Sequence, residues 1–100
     1  MAESAISKQF AVGERVRVRR LKPLGHVRTP TYVRGHVGTI ERICGAFPNP
    51  EELALGRPGL PPKHLYRVSF LQSQLWNDYT GPDTDTVEVE IYEHWLESAE

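Results

Sequence analysis

Three stretches of this sequence alternate apolar and polar side chains one for one. In RVRV (15–18), Val16 and Val18 alternate with Arg15 and Arg17, and Arg20 is a further candidate for the valine side. In LYRVSF (65–70), Tyr66, Val68 and Phe70 share one side, while Leu65, Arg67 and Ser69 share the other. In TVEVEI (86–91), Val87, Val89 and Ile91 oppose Glu88 and Glu90. A period of two is the period of a strand, and one apolar side per strand means one face laid on a core. HVGTIERIC (36–44) reads as another strand, but Ile40 and Ile43 break the alternation, which predicts a bulge or bend near Gly38. HWLES (94–98) reads as a short last strand after a kink.

Helix has little room in this pattern. Eight prolines and eight glycines in 100 residues favour turns. The one clear helical signal is FPNPEELALG: Asn49 as N-cap, Pro50 at the first position, Glu51 and Glu52 at the positive end, and Gly56 as the stop. It predicts one or two turns. Pro58, Pro61 and Pro62 then enforce an extended connection. QSQLW (72–76) predicts a turn of helix that plugs its aromatic, Trp76, into the core. Four or five short strands with one short helix make an all-β chain, a small closed or half-open antiparallel barrel, in which closure protects the strand edges. Residues 1–9 read as a flexible polar lead and 10–97 as the barrel.

The net charge of −1 hides a division: residues 1–50 carry nine Lys/Arg against three Asp/Glu, and residues 51–100 three against ten. Pairing of basic with acidic strands inside one fold accounts for this, since opposite charges across a sheet attract. A nucleic-acid surface in the first half is the rival account. No apolar run approaches the ~20 residues of a membrane span, and the N-terminus has no signal-peptide pattern. A single cysteine, Cys44, excludes an internal disulfide and fits a cytoplasmic protein. Set between Ile43 and Gly45, Cys44 reads as a buried structural residue.

A self-contained active site is missing from the pattern. His26, His36, His64 and His94 show no metal-ligand spacing, and Cys44 has no partner for a zinc site. Neither a nucleophile elbow nor a phosphate-cradling loop is present. What remains is GHVRTPTYVRG (25–35), with two arginines six positions apart, Arg28 and Arg34, on a proline-stiffened loop. If Pro30 keeps the segment extended, both point to one side. A guanidinium is a rigid fork of donors suited to oxyanions. Surface exposure, or pairing with the acidic half, is the plainer use of two arginines.

The blocks F.VGERVRV, GHVRTPTYVRG..G.I, P..LYRVSF....LW and V.VEIYEHWLE, in this order and spacing, resemble the C-terminal domain of the nitrile hydratase beta subunit over residues 10–97. The resemblance implies an SH3-like β-barrel and membership of a metalloenzyme that hydrates nitriles to amides. It implies that this chain binds no cofactor: the metal, non-haem iron(III) or cobalt(III), belongs to a partner alpha subunit, on backbone amides and cysteines partly oxidised to sulfinic and sulfenic acids. It further implies that an arginine of the GHVRTPTYVRG motif hydrogen-bonds those oxygens. Arg34 is the favoured match and Arg28 the other, with His26, Thr29 and Tyr32 at the partner interface. A usual beta subunit is about twice this long. The chain opens on Met-Ala and a polar lead, as a true start would, so a split subunit is expected, with a second beta-like chain supplying the N-terminal half. Toyocamycin nitrile hydratase and thiocyanate hydrolase are three-subunit relatives of this kind. Two other readings stand beside it. One is a maturation chaperone for nitrile hydratase. The other is an RNA-binding barrel, because VGERVRV followed by RGHVGTIERI also resembles a KOW element, with Arg15, Arg17, Arg19, Arg20 and Lys22 on phosphates. The acidic second half weighs against nucleic acid.

Overall fold

Alternation becomes burial strand by strand. The structure, a computed structural model, describes residues 10–22 and 27–99. Its strands are β1 (Arg15–Val18), β2 (Val37–Phe47), β3 (Lys63–Leu71), β4 (Thr86–Tyr92) and β5 (Leu96–Ser98). Val16 and Val18 of β1, Ile40 of β2, Tyr66, Val68 and Phe70 of β3 and Ile91 of β4 are each at most 1% exposed. The five strands form one sheet in the order β4-β3-β2-β1-β5, antiparallel at every pairing. β4 and β5 hold opposite edges of that sheet, yet only the 3-10 turn Glu93–Trp95 separates them in the chain. The sheet must therefore curl until its edges approach, which makes a half-open barrel with Trp95 at the seam, 1% exposed.

The helical pieces are short: α1 (Pro50–Leu53), α2 (Gln72–Leu75) and a second 3-10 turn, Thr31–Val33. In α1, Asn49 caps as expected, its side chain accepting from the Glu51 N–H at 3.0 Å. Gly56 ends the excursion at φ +79°, left-handed backbone that favours glycine. At α2 the core plug is Leu75, and Trp76 is exposed. The helix is a single turn, so only one of two adjacent side chains can face inward, and the aliphatic one does.

Other expectations also shift. Register irregularities in β2 fall between Ile40 and Arg42 and between Ile43 and Gly45, not at Gly38. Gly38 is paired regularly with Val16 and is buried. Its reason is close approach, because a Cβ there would lie 2.7 Å from both the Val68 Cγ1 and the Ser69 carbonyl oxygen. β1 stops at Val18, so Arg20 is exposed and not on the valine face. Cys44 sits at the second irregularity and is half-buried, not buried. Among the described residues no salt bridge joins the basic first half to the acidic second half, although Arg17 faces Glu97 in register across β1 and β5. The ion pairs among the described residues are Arg57–Glu52 and Arg67–Glu90, and His64–Glu93 and His94–Glu51 are histidine–carboxylate contacts, all in the second half. The sheet order explains this: β2 and β3 lie between arginine-rich β1 and glutamate-rich β4.

Candidate functional site

The arginine loop is anchored at its base by the end of β1. The Gly35 N–H donates to the Val18 carbonyl at 2.7 Å, and the Val18 N–H donates to the His36 carbonyl at 2.9 Å. Gly35 turns the chain at φ +84°, and the Arg20 guanidinium fills the space a Cβ would need. Val33, fully buried, fixes the loop to the core.

Between these anchors the segment is not extended. Pro30 is extended, but Thr31–Val33 then coils into the 3-10 turn, and the Arg34 N–H closes on the Thr31 carbonyl at 3.1 Å. The two arginines accordingly have different fates. Arg28 is exposed. Arg34 is half-buried; its Nη2 donates to the Thr29 carbonyl at 2.7 Å, and its Cζ lies 4.8 Å from the centroid of the Trp95 ring. The Arg34 Nε–H is buried and has no acceptor among the described residues. Thr29 is itself buried, so it builds the loop from within. Tyr32 is exposed and stacks at 5.2 Å on Trp76, the aromatic that the core does not take. His26 lies outside the described residues.

The indole under Arg34 is held in turn. Trp95 Nε1–H donates to Glu51 Oε2, carried over by α1, and the same oxygen is 3.0 Å from His94 Nε2. An ionised carboxylate only accepts, so His94 carries its proton on Nε2. Arg19 straps the turn from the other side: its N–H donates to the Trp95 carbonyl at 2.8 Å and its Nη1 to the His94 carbonyl at 3.1 Å. The result is a guanidinium over the ring face and a carboxylate at the ring edge. An indole face attracts a cation, and a carboxylate on the ring N–H strengthens that face by polarising it.

None of Trp95, Glu51, His94 or Trp76 is singled out as functional by the sequence. Glu51 and Trp95 are 44 residues apart, and no spacing rule connects them. Trp95 does lie within the EHWLE block of the family resemblance, which is the one available signal. Beside the loop, Arg17, Arg19, Arg20, Gly35 and Glu97 line an open cleft. Among the described residues, no group of three or more His, Cys, Asp or Glu could hold a metal ion.

The sequence model described as "Nitrile hydratase beta subunit, C-terminal" matches residues 1–98. The nitrile hydratase subunit beta of Pseudomonas putida is 37% identical over 90 residues, which cover 90% of this chain and 41% of that protein. The chain thus spans about two fifths of such beta subunits. The thiocyanate hydrolase subunit alpha of Thiobacillus thioparus is 42% identical over 92 residues, covering 91% of this chain and 72% of that one. A solved structure of that organism's recombinant apo thiocyanate hydrolase superposes with a TM-score of 0.87 at 39% identity, over 93% of this chain and 78% of that chain. A match over residues 1–98, joined to a superposition with a TM-score of 0.87, places the chain in the family defined by the C-terminal domain of the nitrile hydratase beta subunit.

Proposed function

We propose that the chain is a non-metal-binding subunit of a nitrile hydratase, converting nitrile and water to amide, and that it presents Arg34 to the oxidised cysteine ligands of a partner alpha subunit. The observation that carries this reading is the state of Arg34. One donor is tied to Thr29 and the ring face is under it, so the fork is fixed in direction, while the Nε–H has no acceptor among the described residues. A fixed, always-charged donor set with unused capacity suits anionic oxygens brought by another chain. Holding the guanidinium on Trp95 before the partner arrives reduces the ordering cost at assembly. The iron or cobalt of the alpha subunit would supply the hydration chemistry. This chain's part is to orient and neutralise the charge around its ligands. Arg28, exposed at the same loop, is the second candidate donor, and Tyr32 with Trp76 offers an aromatic surface beside it.

The region of the longer beta subunits that this chain does not match is assigned to a second beta-like chain. Identity of 42% with the Thiobacillus thioparus subunit, beside 37% with the Pseudomonas putida beta subunit, carries a second reading, a thiocyanate-hydrolase-type complex. Co-expression with an alpha subunit and the complementary chain, followed by assays with nitriles and with thiocyanate, separates the two. Stoichiometric co-purification is expected; a chain that leaves the mature enzyme would instead be a maturation factor. Absence of either activity in correctly assembled, metal-loaded complexes, or unchanged turnover with Arg34→Lys, overturns the proposal.

A further inference from the structure

We infer that Glu51 is a positioning residue for Arg34, acting through Trp95; the functional half of this inference rests on the proposed role of Arg34. Three observations carry it. Glu51 Oε2 takes the Trp95 indole N–H, which leaves the ring one orientation about its long axis. The ring face so presented lies under the Arg34 guanidinium at 4.8 Å. His94 Nε2 reaches the same carboxylate oxygen at 3.0 Å, so Glu51 ties two of the three residues of the 3-10 turn to α1.

Ordinary helix chemistry does not account for this contact. Glu51 stands in the first turn of α1, where any acidic side chain favours the positive end, and Glu52 beside it satisfies that need while pairing outward with Arg57 at 3.3 Å. Glu51 instead crosses to the barrel seam. The carboxylate sets the electrostatics as well as the angle. Negative charge at the indole N–H enriches the ring face on which the cation rests. The excursion between β2 and β3 is therefore linked to Arg34 through one indole.

The test reads Arg34 directly, on the full chain. Burial of the Nε–H slows its exchange, so its nitrogen–proton resonance is observable, and the Trp95 ring current marks the stack. Glu51→Ala and Glu51→Asp should both move that resonance toward the value of a free arginine. The aspartate keeps the charge and the helix-end effect but falls one methylene short. Glu51→Gln should keep most of the ring-current shift, because its amide oxygen still accepts from the indole. Backbone amide spectra confirm in each case that the barrel is intact, and Glu51→Asp serves if Glu51→Ala does not fold. An Arg34 resonance that stays in place in folded Glu51→Ala or Glu51→Asp overturns the inference, as does an equal displacement in Glu51→Gln. In assembled complexes, turnover should fall roughly twofold to fivefold with Glu51→Asp, the rate equivalent of a cation–π contact at a partly exposed site. A lost ring-current shift with unchanged turnover upholds the positioning by Glu51 and removes Arg34 from the reaction.

Discussion

Arg28 and Arg34 share one loop in the sequence, with Arg34 the favoured match, but their surroundings differ: Arg28 is exposed, and Arg34 lies half-buried over Trp95. Lysine in place of Arg34 keeps a charge but loses the plane that lies on Trp95 and the fork that holds Thr29. We expect a stability loss on the order of 1 kcal/mol in thermal melts of the chain. In the assembled enzyme the same change should lower turnover roughly tenfold to a hundredfold, the consequence of an anion left short of a donor. Arg28→Lys should leave the melt within about 0.5 kcal/mol, as exposed substitutions do. The sequence alone points to two arginines outside the core, with a barrel indifferent to either. It identifies the loop, because glycine, proline and arginine chemistry is local. It cannot identify the platform, because Trp95 and Glu51 arrive from elsewhere in the chain.

A second residue makes a pH prediction. The Tyr79 hydroxyl donates to Asp85 Oδ2, and that hydrogen bond, then burial, then the negative charge hold the phenol above its usual 10.0. The native state thus keeps a proton that the unfolded chain releases near pH 10. Stability from this contact is complete below about pH 10 and is lost as pH rises through the higher native value. Ultraviolet titration, with Tyr79→Phe as the subtraction, should show Tyr79 ionising later than an ordinary tyrosine. Asp85→Ala, which removes the acceptor, should bring it back down; no change would mean the contact does not form in solution.

Among the elements, β1, β3 and β4 could be read from alternation because a period of two leaves one assignment of faces. β2 could be read only in part. Gly38 in a broken alternation resembles a bulge, yet it serves two backbones in contact, and the register shifts lie further along. Gly38→Ala tests the difference. A bulge glycine would tolerate the change at a modest cost, whereas this site should lose about 1–3 kcal/mol by overpacking against Val68 and Ser69. Denaturant titration would decide, and a loss below about 0.5 kcal/mol would contradict the close approach. At α2 the sequence shows that a side chain must plug the core but not which one, since both Leu75 and Trp76 are large and apolar.

For the molecule as a whole, the exposed arginines of β1 make nucleic-acid binding the natural challenge to an enzyme subunit. Their neighbours across the sheet are Thr39, Val37 and Glu97, which do not neutralise them as a set. We expect weak binding to duplex DNA and structured RNA. Submicromolar affinity with a steep salt dependence would show the phosphate-binding surface to be real. The isolated chain should also bind no stoichiometric iron or cobalt and turn over no nitrile, and metal analysis beside an amide assay checks both.

The order β4-β3-β2-β1-β5 has a further consequence during synthesis. β1 is made early, and β2 can cover one of its edges soon afterwards. The other edge waits for Leu96–Ser98, and the seam waits for Trp95. Until those residues leave the ribosome, Val16 and Val18 lie on a strand with an open side, flanked by Arg15, Arg17, Arg19 and Arg20. Charge along an unpaired edge discourages pairing with neighbouring nascent chains. The same arginines exposed on the finished strand would then guard it through the interval before the sheet can close.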